Sequence, residues 1–157
     1  MSQRDARKGP VLLVSTQGGH LTHLLALRQW WEHQDRLWVC PDTPDVLDRL
    51  GGERIVHAHH PTTRNLPNLL RNAALAVQVL RRERPSLLVS AGAGVAVPFF
   101  MAAWALGIPT AFIEVYDRVD TATLTGRLCG PFTTCRLVQW QSQLSFYPDA
   151  HLVGPIL

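Results

Sequence analysis

Two loops rich in glycine and small polar residues follow apolar runs of the sequence, and each suits the binding of an anion. The first loop contains Ser15, Thr16, Gln17, Gly18 and Gly19 after VLLV, and the second contains Ser90, Gly92 and Gly94 in SAGAGVAVP. Glycines let the backbone turn sharply and approach a ligand, and the unpaired N–H groups at a helix start bind phosphate. Neither loop has the GxGxxG pattern, and tight packing of a strand against a helix is the alternative explanation for each.

Two residues beside these loops are candidates for proton transfer. His20 falls in the first turn of a predicted helix, where the positive end of the helix favours a neutral imidazole that can act as a general base. Glu114 ends another apolar run, so we expect its carboxylate to emerge at the same edge and to be the second candidate base. A His20 that only hydrogen-bonds the loop is the alternative. His23 lies one turn further along, and we expect it to support the site without reacting.

Four further polar residues are candidate phosphate ligands. Asp117 and Arg118 follow Glu114, Thr125 lies in LTGRL, and Arg64 lies in the loop TTRN. The planar guanidinium of arginine binds two phosphate oxygens at once, in a bidentate geometry. A local ion pair between Asp117 and Arg118, and a helix start near Thr125, are the simpler explanations. His57, His59 and His60 have no matching cysteine or acidic pattern, so we predict no metal site.

Short β-rich runs alternate with helical patterns along the whole chain. The predicted strands are Val11–Ser15, Leu37–Cys40, Arg54–Ala58, Ser86–Ser90, Thr110–Glu114, Leu137–Trp140 and His151–Val153. The longer predicted helices are Gly19–Glu32, one that ends at Leu80, and Val95–Leu106. Apolar strands separated by helices indicate an α/β fold with a doubly wound, mostly parallel, Rossmann-like sheet. Ligands of such sheets bind beyond the carboxyl ends of the strands, which is where both loops and Glu114 would meet.

Composition favours one ordinary globular domain spanning residues 1–157, with residues 1–9 as a flexible tail. The chain is 46% hydrophobic and 17% charged, with a net charge of +3. This charge is mild and no nucleic-acid motif is present, so we expect no nucleic-acid partner. Three cysteines without CxxC spacing, and an amino terminus that lacks the apolar run of a signal peptide, favour a reducing cytoplasm.

One segment is long and apolar enough to be mistaken for a membrane span. Pro85–Ile113 contains no charged residue, and a transmembrane helix needs about 20 apolar residues. Glycine and proline interrupt the segment repeatedly, which favours a strand, a turn, a helix and a second strand. A transmembrane helix remains the alternative.

Several short motifs occur in an order that resembles a known family. They are STQGGH, TTRN, SAGAG, FIEVYDRVD followed by LTGRL, VQW, and YPDAHLVGPIL. Together they resemble bacterial capsule and exopolysaccharide glycosyltransferase subunits. That family includes the subunit that recruits the eukaryotic UDP-N-acetylglucosamine transferase of dolichol-linked oligosaccharide synthesis. A more distant likeness is to the amino-terminal half of the peptidoglycan N-acetylglucosaminyltransferase.

The resemblance implies the amino-terminal half of a GT-B fold, which binds a lipid-diphosphate acceptor. Because VGPIL stands where a full-length relative crosses into its second domain, we expect a separate partner subunit that binds the UDP-sugar donor. Ser15–His20 and Ser90–Gly94 would hold the acceptor diphosphate, with His20 toward the attacking hydroxyl. No cofactor or metal is expected on this chain.

The resemblance also implies contact with a membrane. Eukaryotic members carry an amino-terminal anchor that MSQRDARK does not resemble, so we expect peripheral contact with the inner face of the cytoplasmic membrane. The apolar helix Val95–Leu106, with Phe99, Phe100 and Trp104, is the predicted contact, and a purely internal helix is the alternative.

These features predict an acceptor-binding, membrane-associating subunit of a two-component inverting glycosyltransferase in polysaccharide assembly. Two alternatives stay open. One is a non-catalytic scaffold that enhances a partner enzyme. The other is a stand-alone nucleotide-binding enzyme of the Rossmann type, which is disfavoured because no acidic residue is placed to bind a ribose.

Overall fold

The computed structural model describes residues 9–157, and the first eight residues of the predicted amino-terminal tail lie outside the described part. The strands are β1 (Val11–Val14), β2 (Arg36–Pro41), β3 (Ile55–Ala58), β4 (Leu87–Ser90), β5 (Thr110–Ile113), β6 (Cys135–Val138) and β7 (His151–Leu152). The helices are α1 (Gly19–Ala26), α2 (Arg28–Trp31), α3 (Pro44–Arg49), α4 (Leu66–Glu83), α5 (Ala96–Ala105) and α6 (Leu124–Cys129). Short 3₁₀ turns occupy Gly130–Phe132 and Gln141–Ser145.

The strands form one seven-stranded sheet in the order β3-β2-β1-β4-β5-β6-β7. Every neighbouring pair is parallel. The order reverses between β1 and β4, so the carboxyl ends of these central strands are where a ligand is expected to bind. This topology confirms the predicted doubly wound, parallel α/β fold.

Apolar side chains cover both faces of the sheet. One core cluster joins α4, α5 and α6 to the sheet through residues such as Val79, Phe100 and Phe112. The other joins α1, α2 and α3 to the opposite face through residues such as Leu24 and Trp38. All four residues of β1 and all four of β5 are buried, which explains why both strands read as continuous apolar runs.

The segment Pro85–Ile113 forms β4, a loop, α5 and β5. The alternative that this segment is a transmembrane helix is therefore wrong. Within residues 9–157, no helix combines the length and the apolar character that crossing a membrane requires. The predicted long helix Gly19–Glu32 is also divided. It breaks at Leu27, whose φ of −88° and ψ of 15° end α1, and the Trp31 indole N–H donates to the Leu24 carbonyl across the break, at 2.8 Å.

Helix α5 is partly core and partly surface. Phe99 and Phe100 are fully buried, so the expectation that they contact a membrane is wrong. Trp104 is 63% exposed and Met101 is 48% exposed on the same helix. The helix therefore packs against the sheet with its buried side chains and leaves other apolar side chains exposed.

Candidate functional site at the carboxyl ends of the strands

A cavity of about 500 Å³ opens between the start of α1 and the loop that follows β5. Its lining residues are Gly19, His20, His23, Val115, Tyr116, Asp117, Arg118, Ala122, Thr123, Leu124, Thr125 and Leu157. The cavity brings together the predicted site residues Gly19, His20, Asp117, Arg118 and Thr125, which the sequence separates by about a hundred positions.

His20 is fixed in this cavity by the second glycine loop. Its Nδ1 lies 3.1 Å from the carbonyl oxygen of Ala91. A carbonyl only accepts, so Nδ1 carries the proton, and Nε2 of a neutral ring keeps its lone pair. Among residues 9–157, no hydrogen-bond partner of Nε2 is present. This tautomer leaves Nε2 able to accept a proton.

The second glycine loop is a packing surface for His20, and most of it does not face the cavity. Ser90 is fully buried, and its Oγ both donates to the Gly92 carbonyl and accepts from the Gly92 N–H, at 3.1 Å in each case. A Cβ at Gly92 would lie 3.2 Å from the His20 ring, and Gly94 packs against Thr62. None of Ser90, Gly92 and Gly94 lines this cavity, and their role as phosphate ligands stays a prediction.

The first glycine loop is more open, but part of it is also engaged. Ser15 is buried, and its N–H donates to Val39 at 3.0 Å, which extends the pairing of β1 with β2. The Gly18 N–H donates to the Asp45 carboxylate at 2.9 Å. Thr16 and Gln17 line a smaller cavity of about 170 Å³ next to Pro61–Thr63. Of the five predicted residues of this loop, only Gly19 lines the larger cavity.

His23 supports the site, as predicted. It is 5% exposed, and its Nδ1 lies 2.8 Å from the Gly19 carbonyl. Its Nε2 accepts the N–H of Tyr116 at 2.9 Å. Both ring nitrogens of His23 are occupied by backbone groups, so His23 ties the start of α1 to the loop after β5.

Glu114 differs from its prediction, because its carboxylate is fully buried instead of emerging at the edge of the sheet. It accepts hydrogen bonds from the N–H of Val115 at 3.1 Å, the hydroxyl of Thr123 at 2.9 Å and the hydroxyl of Tyr147 at 2.7 Å. Burial, together with the hydrogen bond to Glu114, raises the pKa of Tyr147. A substrate hydroxyl cannot reach this carboxylate while these partners stay in place.

Two glutamines that sequence reasoning did not single out hold the same loop from behind. The Gln139 side-chain amide donates to the Glu114 carbonyl and its oxygen accepts the Ile156 N–H, each at 2.9 Å. The Gln143 amide donates to the Arg118 carbonyl at 2.9 Å. An amide donates and accepts at once, so it can join two backbone segments. The available signal was the run VQWQSQ, which places three glutamines, Gln139 and Gln143 among them, directly after an apolar strand.

The remaining candidates divide between the cavity and the outer surface. Asp117 and Arg118 are exposed at the mouth of the cavity, and no ion pair joins them in the described chain. Arg64 is exposed before α4 with a left-handed φ of 50° and does not line the cavity. In the part of the chain that the structure covers, no three His, Cys, Asp or Glu side chains are grouped closely enough to hold a metal ion.

Comparison with known proteins supports the relationship that the motifs suggest. The chain is similar to the human UDP-N-acetylglucosamine transferase subunit ALG14, with 23% identity over 94% of this chain and 82% of the human protein. Among solved structures it is similar to MurG of Acinetobacter baumannii, with a TM-score of 0.69 and 18% identity over 84% of this chain. It is equally similar to UDP-GlcNAc 2-epimerase of Methanocaldococcus jannaschii, with a TM-score of 0.69 and 13% identity over 92% of this chain.

These structural likenesses establish the fold, which is that of one domain of GT-B proteins. The chain spans 42% of the MurG chain and 45% of the epimerase chain, so it matches less than half of either. The family model of the Alg14-like oligosaccharide biosynthesis proteins matches residues 53–156, which include β3 to β7 and the loop that carries Glu114. By this match, the chain belongs to the family of Alg14-like oligosaccharide biosynthesis proteins.

Proposed function

We propose that this chain is the acceptor-binding, membrane-associating subunit of a two-component inverting glycosyltransferase. The enzyme would move a sugar from a UDP-sugar, held mainly by a separate subunit, to a lipid-diphosphate-linked acceptor in capsule or exopolysaccharide biosynthesis. The human relative ALG14 is a subunit of a UDP-N-acetylglucosamine transferase, which supports the need for a partner. The observation that carries the proposal is that His20, with an unengaged Nε2, lines the same cavity as Arg118 and Thr125.

The geometry supports a simple division of labour within the cavity. In an inverting transfer, the acceptor hydroxyl attacks the anomeric carbon, the bond from that carbon to the UDP oxygen breaks, and the hydroxyl proton leaves to a base. His20 Nε2 would take this proton, and the Nδ1–H bond to Ala91 would stabilise the imidazolium that forms. Arg118 and Thr125 line the same cavity, and their side chains would hold phosphate oxygens of the acceptor.

An exposed apolar face beside the cavity supports membrane association. Three neighbouring helices contribute to it: α4, α5 and α6. Its exposed apolar side chains are Leu66, Leu69, Leu70, Val77, Met101, Trp104, Leu124 and Leu128. Exposed arginines such as Arg71 and Arg127 belong to the same helices and would attract anionic lipid headgroups. The occupant we propose is the surface of an anionic bilayer.

Leu124 links this apolar face to the cavity. It is 72% exposed at the start of α6, and it also lines the cavity that contains His20. An acceptor whose lipid tail stays in the bilayer could therefore place its diphosphate in the cavity. This continuity is the reason that the proposal assigns the lipid-linked acceptor, and not the nucleotide sugar, to this chain.

The test of the catalytic proposal is His20→Ala in the chain reconstituted with its donor-binding subunit. We expect turnover to fall by about 10²–10⁴-fold, because a positioned general base contributes about that much. His33→Ala is the matched control, since the His33 side chain is 84% exposed and lies outside the cavity. Near-normal turnover of His20→Ala with the partner bound would support the scaffold alternative instead.

Flotation with phosphatidylglycerol-containing vesicles tests the membrane proposal. Leu70→Glu with Trp104→Glu places two carboxylates on the apolar face and should abolish flotation at low salt, while salt should weaken flotation of the unaltered chain. Leu47→Glu is the control, because Leu47 is 49% exposed on α3, on the opposite side of the sheet. Equal losses from both variants would contradict the assignment to this face.

A further inference from the structure

We propose that Glu114 is a positioning residue whose buried carboxylate clamps the loop of residues 115–123, here the cleft loop, and thereby sets Arg118 and Thr125 relative to His20. Its effect on turnover rests on the proposed function. Its effect on the cleft loop belongs to the isolated chain and can be measured without any transfer reaction.

The carboxylate binds the cleft loop at both of its ends. At the beginning, Oε1 accepts the N–H of Val115 at 3.1 Å. At the end, the same oxygen accepts the hydroxyl of Thr123 at 2.9 Å. The Thr123 Oγ in turn accepts the N–H of Gly126 at 3.0 Å and so caps the start of α6. One side chain therefore fixes the span of the cleft loop and the first turn of the helix that carries Thr125.

A third element is joined through the other carboxylate oxygen. The Tyr147 hydroxyl donates to Glu114 Oε2 at 2.7 Å. The guanidinium carbon of Arg136 lies 3.9 Å from the centre of the Tyr147 ring, and its Nη2 donates to the Gly126 carbonyl at 2.9 Å. The turn after β6 and strand β6 itself are thus tied to the same carboxylate as the cleft loop.

The space around the carboxylate is filled so closely that position 126 must be glycine. A Cβ there would lie 2.5 Å from both Glu114 Oε2 and the Tyr147 hydroxyl oxygen, and 2.8 Å from Thr123 Oγ. Contacts this short are not made by real Cβ atoms, so any side chain at Gly126 would displace the clamp. The glycine in LTGRL is therefore explained by the clamp, since its backbone is helical and needs no unusual φ.

The burial of Glu114 favours a positioning role over the role of a general base. Glu114 has no exposed surface, and in the described chain no Lys, Arg or His forms an ion pair with it within 4.0 Å. Its carboxylate oxygens accept hydrogen bonds from Val115 and Thr123 of the cleft loop and from Tyr147, as a buried polar group requires. An acceptor hydroxyl would have to displace these donors to reach the carboxylate, whereas His20 lines the cavity directly.

Hydrogen exchange of the isolated chain, followed by mass spectrometry of peptides that cover residues 115–125, tests the clamp. We expect Glu114→Ala to speed exchange of these amides by about tenfold or more, because three hydrogen bonds are lost. Tyr147→Phe removes one donor and keeps the fold, so it should speed exchange by about threefold even if Glu114→Ala fails to fold. Glu32→Gln, on an exposed carboxylate, is the control for a general effect. Unchanged exchange in Tyr147→Phe and Glu114→Ala would overturn the clamp whether or not the chain proves to be a transferase subunit.

Turnover of the reconstituted pair then separates positioning from base catalysis. Glu114→Gln keeps an oxygen for the loop, so we expect its turnover to stay within about tenfold of the unaltered chain, with the same pH profile. A Glu114→Gln variant that loses about 10²-fold or more in turnover, with exchange of residues 115–125 unchanged, would overturn the proposal in favour of a base. If the unaltered chain and its donor-binding subunit show no sugar transfer, the proposed function fails. The hydrogen-exchange data still test the clamp in that case.

Discussion

The two glycine loops follow neighbouring strands at the same edge of the sheet, but they have different roles. Val14 of β1 is paired with Ser90 of β4, so both loops begin at one edge. In the first loop, Gln17, Gly18 and Gly19 are exposed. In the second, Ser90, Ala91, Gly92 and Ala93 are all buried. The backbone of the first loop is therefore accessible to solvent, whereas the backbone of the second loop is buried.

The difference shows that glycine can serve a site indirectly. Gly92 has a φ of 113°, and its lack of a side chain lets the His20 ring rest against the loop. Gly19 has open space around it and stands at the first turn of α1. The second loop therefore positions the candidate base, while the first loop is the one left to approach a ligand.

Gly92→Ala should have the largest effect on stability, because it breaks the enclosed loop. The φ of 113° is one that residues with a Cβ rarely adopt, and the new Cβ would lie 3.2 Å from His20. A backbone held in such a region costs about 1–3 kcal/mol, and displacement of His20 adds to that cost. Urea unfolding followed by circular dichroism measures the loss. A change of less than about 0.5 kcal/mol in the free energy of unfolding would mean that the second loop adapts easily and is not the more rigid of the two.

The fold could be predicted because its signals are local and repeated. Buried strands such as β1 and β5 are apolar at every position, and the alternation with helices leaves few topologies to consider. The roles of Ser90 and Glu114 could not be predicted in the same way. A polar residue that ends a buried strand looks the same in sequence whether it faces a ligand or folds back onto its own loop, and only distant partners such as Tyr147 decide between the two.

His20 shows the other side of this limit. Its place at the start of a helix after two glycines predicted a residue at the edge of the sheet, and the cavity lining agrees. Its tautomer depends on the carbonyl of Ala91, which lies 71 residues away in the sequence. The position of His20 could therefore be predicted from the local sequence, whereas assigning its tautomer required the tertiary structure.

A pair of buried serines provides a test of intermediate size. Ser90 Oγ bonds to both the N–H and the carbonyl of Gly92, whereas Ser15 Oγ donates only to the Thr16 carbonyl at 3.0 Å. Ser90→Ala would leave a buried N–H without a partner, so we expect a loss of about 1–3 kcal/mol in the free energy of unfolding. Ser15→Ala should cost less, since a carbonyl tolerates the loss of one donor better. Equal losses would show that both loops depend on their serines in the same way.

Gly19→Ala should have the smallest effect on stability and is the sharpest test of the first loop. A Cβ at this position meets no atom within 4 Å, and its φ is not in the left-handed region. Alanine loses less conformational entropy than glycine on folding, so we expect unfolding free energy to stay the same or to rise by about 0.4–1 kcal/mol. Turnover with the donor-binding subunit should nevertheless fall, because a methyl group would hold phosphate away from the exposed backbone at the start of α1. Urea unfolding and initial transfer rates on the same preparation measure the two effects separately. A stable and fully active Gly19→Ala chain would mean that the first loop, like the second, does not contact the acceptor, and that the acceptor is held by Arg118 and Thr125 across the cavity.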